Sequence, residues 1–308
     1  MGERVSIPGS IGDVESALRD RLYVAERGLA TVIYLSLRLQ KPLFLEGEAG
    51  VGKTEIAKVL SDLLQTRLIR LQCYEGLDVN AAVYEWNYSR QLLHIRLLES
   101  TGAHQQEALR EIFSPEFLIR RPLLQAIEEQ DGRAPVLLID EIDRADEEFE
   151  AFLLELLSDY QITVPEIGTI RAKEPPVVVI TSNRTREVHD ALKRRCLYHW
   201  IDYPTFQKEF QIVVTKRPEI SRDLARQVCR FVEELRRQDL YKLPGVAETL
   251  DWASALATLG ATSLNEDVVV DTLGTLLKYQ DDIQKIRAGS VGPLVELARA
   301  STGEDRSR

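Results

Sequence analysis

The stretch GEAGVGKT, residues 47–54, constrains the fold of this 308-residue chain more than any other part of its sequence. It matches G-x-x-x-x-G-K-[ST] in full, and it lies between the apolar run PLFLEG (42–47) and the helical pattern TEIAKVLSDLL (54–64). A buried strand, a glycine-rich turn and a helix in this order form a cradle of backbone N–H groups for phosphate oxygens. We therefore predict a phosphate-binding loop at the end of a buried strand.

The residues of this loop have distinct expected roles. Lys53 is predicted to reach the β- and γ-phosphates of a nucleotide, and Thr54 to offer its hydroxyl to Mg²⁺. A nucleoside triphosphate and Mg²⁺ are therefore the cofactors that we expect. The predicted nucleotide-binding residues are Gly47, Glu48, Ala49, Gly50, Val51, Gly52, Lys53 and Thr54.

Two adjacent carboxylates follow another apolar strand. The run VLLIDE (136–141) ends in Asp140 and Glu141. The carboxyl ends of parallel strands form the rim where ligands bind, and neighbouring strand residues point to opposite sides. We expect Asp140 to hold the metal, directly or through water, and Glu141 to act as the base that orients and polarises the attacking water. The simpler alternative for Glu141 is an exposed loop acid.

Three more polar residues are candidates for a nucleotide site. Asn183 ends the apolar run PPVVVITSN (175–183), where its amide could bond both phosphate and water, although asparagine is common wherever a strand leaves a sheet. Arg194 and Arg195 end the short helical stretch HDALKRR (189–195). Cations at a helix end complement the backbone dipole, which is the structural explanation; the other is a role in a site on another copy of the chain.

The order of elements predicts an α/β fold. Strands alternate with helices up to about residue 205, and several strands are apolar throughout, which favours a parallel sheet with helices on both faces. Beyond that point we expect only helices, hence a core domain over 1–205 and a small all-helical domain over 206–308. Within the core we expect one helical segment over 12–39, an insert near 76–100 and a β-hairpin near 161–171; the predicted later helices are 222–238, 246–259, 265–287 and 292–300.

Composition excludes some function classes. The net charge is −10 and the pI is about 5.1, so holding nucleic acid as a main role is disfavoured. Three widely spaced cysteines indicate neither a disulfide framework nor a metal site. The polar start MGERVSIPGS lacks the apolar core of a signal peptide, and no run reaches the ~18 apolar residues of a transmembrane helix. We expect a cytoplasmic protein.

Taken in order, GEAGVGKT, LLIDEID, ITSN and LKRRC, followed by a helical domain, resemble the AAA+ ATPases over roughly residues 15–300. The hairpin and the insert resemble the MoxR group. The stretches GLDVNAAVYEWNYSRQLL (76–93), FSPEFLIRRPLLQAI (113–127) and RRCLYHWIDYP (194–204) are similar to its CoxD-like branch.

This resemblance implies an ATP-driven, chaperone-like remodelling enzyme that forms a ring, often a hexamer, with ATP between subunits. It implies a partner with a von Willebrand factor A domain and, as client, a molybdenum-containing hydroxylase of the carbon monoxide dehydrogenase type. Arg195 matches the family's arginine that contacts the neighbouring subunit's γ-phosphate, and the adjacent Arg194 could share that role. The resemblance also implies an arginine early in a helix of the small domain, which we call the lid. This arginine is missing: Thr249 stands about there, and Lys242 is the nearest basic residue.

Other functions and assignments stay open at this stage. The same core serves nucleic-acid motors and clamp-loader-like ATPases, and a nucleotide-gated scaffold would bind ATP with little turnover. Tyr84, Trp86 and Tyr88 in the insert could grip a client, although one buried strand face is the interpretation we favour. The hairpin turn near Pro165–Gly168 is the better candidate for contact with a client.

Overall fold

The computed structural model describes residues 7–101, 112–128 and 133–300, and the chain forms two compact units. The first unit consists of the residues up to Glu15 together with Arg27–Glu46 and Thr54–Trp200. The second unit consists of Ser16–Glu26, Gly47–Lys53 and the residues from Ile201 onward. The core and lid boundary near residue 205 remains a prediction.

A five-stranded sheet with the order β2-β5-β8-β1-β9 forms the centre of the α/β fold. The pairings β2–β5, β5–β8 and β8–β1 are parallel, as the apolar strands predict. Two small antiparallel sheets, β3–β4 and β6–β7, accompany it. The strands are β1 (Leu43–Gly47), β2 (Leu68–Gln72), β3 (Tyr84–Trp86), β4 (Leu118–Arg120), β5 (Val136–Asp140), β6 (Gln161–Val164), β7 (Gly168–Arg171), β8 (Val177–Ser182) and β9 (Leu197–Ile201).

The register of the sheet brings several polar residues, including the predicted Asp140, to one edge. Every residue of β1 and β5 is buried, and so is β8 except for its first residue, because side chains cover both faces of these strands. Glu46 lies beside Ser182 in the β1–β8 pairing, and Gln72 lies beside Asp140 in the β2–β5 pairing. The carboxyl ends of parallel strands therefore carry the polar groups.

Helices surround this sheet and form most of the second unit. In chain order they are α1 (Ile11–Asp20), α2 (Arg27–Leu39), α3 (Lys53–Leu64), α4 (Val79–Val83), α5 (Tyr88–Thr101), α6 (Pro122–Ile127), α7 (Glu147–Asp159), α8 (Asp190–Arg195), α9 (Phe206–Lys216), α10 (Arg222–Leu235), α11 (Val246–Thr258), α12 (Glu266–Leu276), α13 (Gln280–Arg287) and α14 (Val291–Ala300).

Two predicted helices are each broken into two. The segment 12–39 stops at Asp20 because Leu22 adopts a left-handed φ of 58°, and the Tyr23 N–H bonds back to the Leu18 carbonyl. The segment 265–287 stops at Leu276 because the buried Leu277 is extended. Apolar periodicity continues across both breaks, so periodicity alone does not locate them.

The insert and the hairpin agree in part with the sequence predictions. The hairpin forms as expected, from β6 and β7 with its turn between Val164 and Gly168. In the insert, Trp86 is buried and packs edge-on against Phe113, whereas Tyr88 is exposed. The favoured interpretation of one buried face therefore applies to Trp86 and not to Tyr88.

The second unit has its own apolar core and also contains a buried ion pair. Arg236 donates from Nη1 and Nη2 to the two carboxylate oxygens of Glu209, at 2.7 and 2.8 Å. The Thr249 hydroxyl donates to the same carboxylate at 2.7 Å.

No helix within the described ranges is long and apolar enough to cross a membrane.

Candidate nucleotide site

The glycine-rich loop joins the end of β1 to the start of α3. The Lys53 ammonium donates to the carbonyl oxygens of Gly47 at 2.7 Å and Glu48 at 2.6 Å, so this side chain curls over its own loop. An ammonium offers three donors on a flexible stem, so it can exchange carbonyl oxygens for phosphate oxygens without leaving the loop. The position of Lys53 is therefore compatible with its predicted phosphate contact.

Glycine is required at three positions of the loop. Gly50 and Gly52 have φ values of 79° and 95°, which side chains rarely adopt. A Cβ on Gly47 would lie 2.2 Å from the Ile201 carbonyl oxygen, far inside contact distance. The loop pattern therefore follows from backbone geometry as well as from the chemistry of phosphate.

Thr54 and Asp140 lie next to each other in the first unit. The Thr54 hydroxyl donates to Asp140 Oδ1 at 3.0 Å, and the Thr181 hydroxyl donates to the same oxygen at 2.6 Å. A Mg²⁺ bound by the Thr54 hydroxyl oxygen would therefore have the Asp140 carboxylate beside it, either as a ligand or as the acceptor of a hydrogen bond from one of the metal's waters. These are the two residues that would hold the metal.

Glu141 and Asn183 also meet, and this contact joins the second acid to the end of β8. Asn183 Nδ2 donates to Glu141 Oε1 at 3.3 Å. Glu141 has a left-handed φ of 56°, and its N–H donates to the Thr181 hydroxyl at 2.9 Å. Non-glycine residues in this conformation cost ~1–3 kcal/mol and occur often at functional sites, where the surrounding contacts hold them in place.

Asp143 organises the loop that follows Asn183, which sequence reasoning did not foresee. It accepts hydrogen bonds from the Asn183 N–H at 3.1 Å, the Thr185 N–H at 2.9 Å and the Thr185 hydroxyl at 2.6 Å. Burial opposes the charge of Asp143, but these donors together hold the pKa of its carboxyl below the ordinary value. The third acid of the run DEID (140–143) was the feature of the sequence that could have indicated this role.

The thiol of Cys73 reports the electrostatics of this edge of the sheet. Burial raises its pKa to about 12, and the negative charges of Asp140, Asp143 and Glu141 contribute to the same shift. Cys73 therefore remains a neutral thiol beside these acids.

The two candidate arginines occupy the last turn of α8. Arg194 and Arg195 are both exposed, and neither guanidinium makes a hydrogen bond or an ion pair within the ranges that the structure describes. The preceding residue, Lys193, turns inward to the buried Glu46 carboxylate. The helix therefore presents two cations outward, where they complement its dipole and remain free to reach another molecule.

Two polar residues beside Asp140 were missed at the sequence level. Thr181 stands in the run ITSN, two residues before Asn183, and its place near the end of the same strand was the available signal. Arg70 on β2 donates from Nε to Asp140 Oδ2 at 3.0 Å. In β2 the polar Arg70 and Gln72 alternate with the apolar Ile69 and Leu71, which could have indicated that the Arg70 side chain lies on the exposed face of the strand.

Thr249 occupies the position at which the sequence lacks the arginine that the resemblance would imply. Its side chain is fully buried and donates to Glu209 and to the Gly245 carbonyl, so it faces the interior of the second unit.

In the same unit, the start of α11 packs closely against the glycine-rich loop. A Cβ on Gly245 would lie 2.8 Å from the Ala49 carbonyl oxygen, and the Ala247 N–H donates to the Gly50 carbonyl.

Residues 42–196 match the family described as "AAA domain (dynein-related subfamily)". The chain belongs to this family. The family is one of the AAA+ ATPases, which generally bind ATP with Mg²⁺ and commonly form oligomeric rings. The match includes β1, the glycine-rich loop and α8, the helix that carries the arginines. It also includes Asp140 at the end of β5 and Glu141 directly after it.

The chain is similar in sequence to a protein of Staphylococcus aureus and in fold to a protein of Thermotoga maritima. An uncharacterised protein of Staphylococcus aureus (strain NCTC 8325 / PS 47) is 28% identical over 207 residues, which are 64% of this chain and 69% of that protein. A mutant RuvB of Thermotoga maritima aligns with a TM-score of 0.50 at 19% identity, over 96% of this chain and 85% of that one. A further Thermotoga maritima RuvB structure, described as a Holliday junction branch migration motor, gives a TM-score of 0.44 at 18% identity, over 87% of this chain and 72% of that one.

Proposed function

We propose that this AAA+ protein hydrolyses ATP to ADP and phosphate and uses the energy to remodel another protein. Lys53 and the glycine-rich loop bind the phosphates, and Thr54 and Asp140 hold Mg²⁺, which neutralises charge on the transferred phosphoryl group. Glu141 accepts a proton from the attacking water, and Asn183 fixes the orientation of Glu141 and contacts the water or the γ-phosphate.

The contact between Asn183 Nδ2 and Glu141 Oε1, at 3.3 Å, is the observation that carries this proposal. Phosphate binding alone requires no acid at this place, whereas hydrolysis requires a base that orients water. The bond from the Glu141 N–H to Thr181 and the contact with Asn183 hold Glu141 there in its strained left-handed conformation. A scaffold that binds ATP without turnover has no use for this arrangement.

The decisive variant is Glu141→Gln, which keeps the size of the side chain and removes its basicity. We expect ATP binding to persist while the hydrolysis rate falls by about 10²–10⁴-fold, the usual contribution of a general base. Glu147→Gln, which changes an exposed acid in the first turn of α7, is the matched control and should retain the wild-type rate. Equally slow hydrolysis by wild type and Glu141→Gln would favour the scaffold function.

The finer assignment is to the MoxR group and its CoxD-like branch. The stretches 76–93, 113–127 and 194–204 support it, together with the hairpin of β6 and β7. On this assignment the protein works as a ring, often a hexamer, with a von Willebrand factor A domain partner. Its client is a molybdenum-containing hydroxylase of the carbon monoxide dehydrogenase type.

A client trap tests this biological role. Glu141→Gln held in ATP should retain the client and the partner protein, and Lys53→Ala, which cannot bind the triphosphate, should release both. Retention of neither protein by the trap would remove the support for a remodelling role. ATPase stimulation by DNA would instead favour a nucleic-acid motor, for which the net charge of −10 offers no support.

The proposed ring also assigns a role to the arginines of α8. The Arg195 guanidinium contacts the γ-phosphate bound by the neighbouring subunit, and Arg194 supports it. A guanidinium stays charged and presents fixed donors to the oxygens whose charge changes during transfer. The exposure of both side chains supports this role, because such an arginine must extend beyond its own subunit.

A further inference from the structure

Arg70 occupies the carboxylate oxygen of Asp140 that faces away from the two threonines. Its Nε donates to Asp140 Oδ2 at 3.0 Å and its Nη2 donates to the same oxygen at 2.5 Å. The other oxygen, Oδ1, accepts from the Thr54 and Thr181 hydroxyls. Both oxygens of Asp140 are therefore fully engaged, each by two donors.

This arrangement conflicts with a metal that reaches Asp140 through Oδ2, the oxygen left to it while Oδ1 accepts from the Thr54 and Thr181 hydroxyls. A carboxylate oxygen that accepts two guanidinium hydrogen bonds has no lone pair for Mg²⁺ or for one of its water ligands. A guanidinium next to a divalent cation also repels it. Asp140 can therefore serve Arg70 or the metal through Oδ2, but not both at once.

The surroundings of Arg70 allow it to leave. Its side chain is 52% exposed, whereas the Asp140 side chain is 3% exposed, so the arginine can move into water while the aspartate stays in place. Gln72, two residues further along β2, offers a second acceptor, because its Oε1 already receives a hydrogen bond from Arg70 Nη2. Releasing Asp140 therefore leaves the guanidinium with a partner and with solvent.

We propose that Arg70 is a positioning residue that substitutes for the metal at Asp140 in the nucleotide-free protein and is displaced from Oδ2 when Mg²⁺ binds with nucleotide. Arg70 satisfies the charge of a buried carboxylate that would otherwise be costly without a cation. It thereby weakens Mg²⁺ binding, because the metal must displace it. This inference rests on the proposed function, since it assumes that Thr54 and Asp140 hold the metal of a bound nucleotide.

The test compares ADP affinity in Mg²⁺ with ADP affinity in EDTA, measured by calorimetry on the full chain. The ratio of the two affinities is the gain that the metal provides, and it needs no catalytic turnover. We expect Arg70→Met to increase this gain by about tenfold, the equivalent of one charge-assisted hydrogen bond partly screened by water. Arg70→Lys keeps the charge with fewer fixed donors and should lie between the two.

Arg67→Met is the matched control, because it removes the same charge from an exposed arginine that directly precedes the same strand. Its metal gain should equal that of the wild type. A gain for Arg70→Met that equals or falls below the wild-type gain would overturn this inference alone. A wild type that binds no ADP in either condition would overturn the proposed function and this inference together.

A structure of the wild type with Mg²⁺ and ADP provides a measurement that needs no variant. We expect the distance from Arg70 Nε to Asp140 Oδ2 to exceed about 3.5 Å, the limit of a hydrogen bond. Retention of both guanidinium bonds to Oδ2 alongside a bound metal would contradict the displacement.

Discussion

Glu46 and Lys193 form an ion pair in which the Lys193 ammonium lies 3.4 Å from each carboxylate oxygen of Glu46. Glu46 directly precedes the glycine-rich loop, and Lys193 directly precedes the two exposed arginines of α8. Tyr198 donates from its hydroxyl to the same carboxylate at 2.9 Å, and burial together with this bond raises the pKa of Tyr198 to about 12. One buried acid therefore ties the strand that leads into the loop to the helix that carries the arginines.

A double-mutant cycle of Glu46→Gln and Lys193→Met should show this coupling. The Glu46 side chain is 4% exposed and that of Lys193 is 27% exposed, so water screens the pair only in part. We expect an interaction energy of about 1–2 kcal/mol in urea unfolding. Additive effects of the two substitutions would show that the pair contributes nothing beyond packing.

Lys242 should prove dispensable for hydrolysis. Its side chain is exposed, and its backbone N–H is fixed by Asp282 at 3.3 Å, which places it in the surface of the lid. We expect Lys242→Ala to keep the ATPase rate within about twofold, because exposed substitutions of this kind cost little. Loss of hydrolysis in a ring that still assembles would instead assign Lys242 the role of the missing lid arginine.

Asp143 should stabilise the protein in a pH-dependent way. Its folded pKa lies below the ordinary value of 3.8, so its contribution is present above that value and is lost as the pH falls through the folded pKa. Asp143→Asn replaces one acceptor oxygen with a donor facing N–H groups, and we expect a loss of about 1–3 kcal/mol at pH 7.

Urea unfolding at several pH values checks this expectation. The difference between wild type and Asp143→Asn should narrow as the pH is lowered below 4. A difference that stays constant with pH would show that the substitution acts through packing and not through the charge. Asp146→Asn would be a poor control, because that side chain caps α7 through the Phe149 N–H.

The phosphate loop and the strand-end acids could be predicted from sequence because their chemistry is local. Glycines, Lys53 and Thr54 stand within eight consecutive residues, and the burial of β5 follows from its continuous apolar run. Arg70 could not be assigned in this way. Its contact with Asp140 depends on the pairing of β2 with β5 across 70 residues of sequence, and no local pattern reports that pairing.

Helix breaks were missed for a related reason. Leu22 is neither glycine nor proline, so nothing in its type indicates a left-handed residue, and only the packing of the folded chain imposes that conformation. The burial of the Thr249 side chain could not be predicted either, because its partner Glu209 lies 40 residues earlier in the chain.

The central claim, that Arg195 completes the site of a neighbouring subunit, has one direct test. Lys53→Ala keeps its arginines but lacks a working phosphate loop, and Arg195→Ala keeps its loop but lacks the arginine. Each variant alone should be nearly inactive, and a mixture should recover ATPase activity, because some interfaces then pair an intact loop with an intact arginine. A mixture that stays inactive although the subunits exchange would contradict the claim and restrict Arg195 to its own subunit.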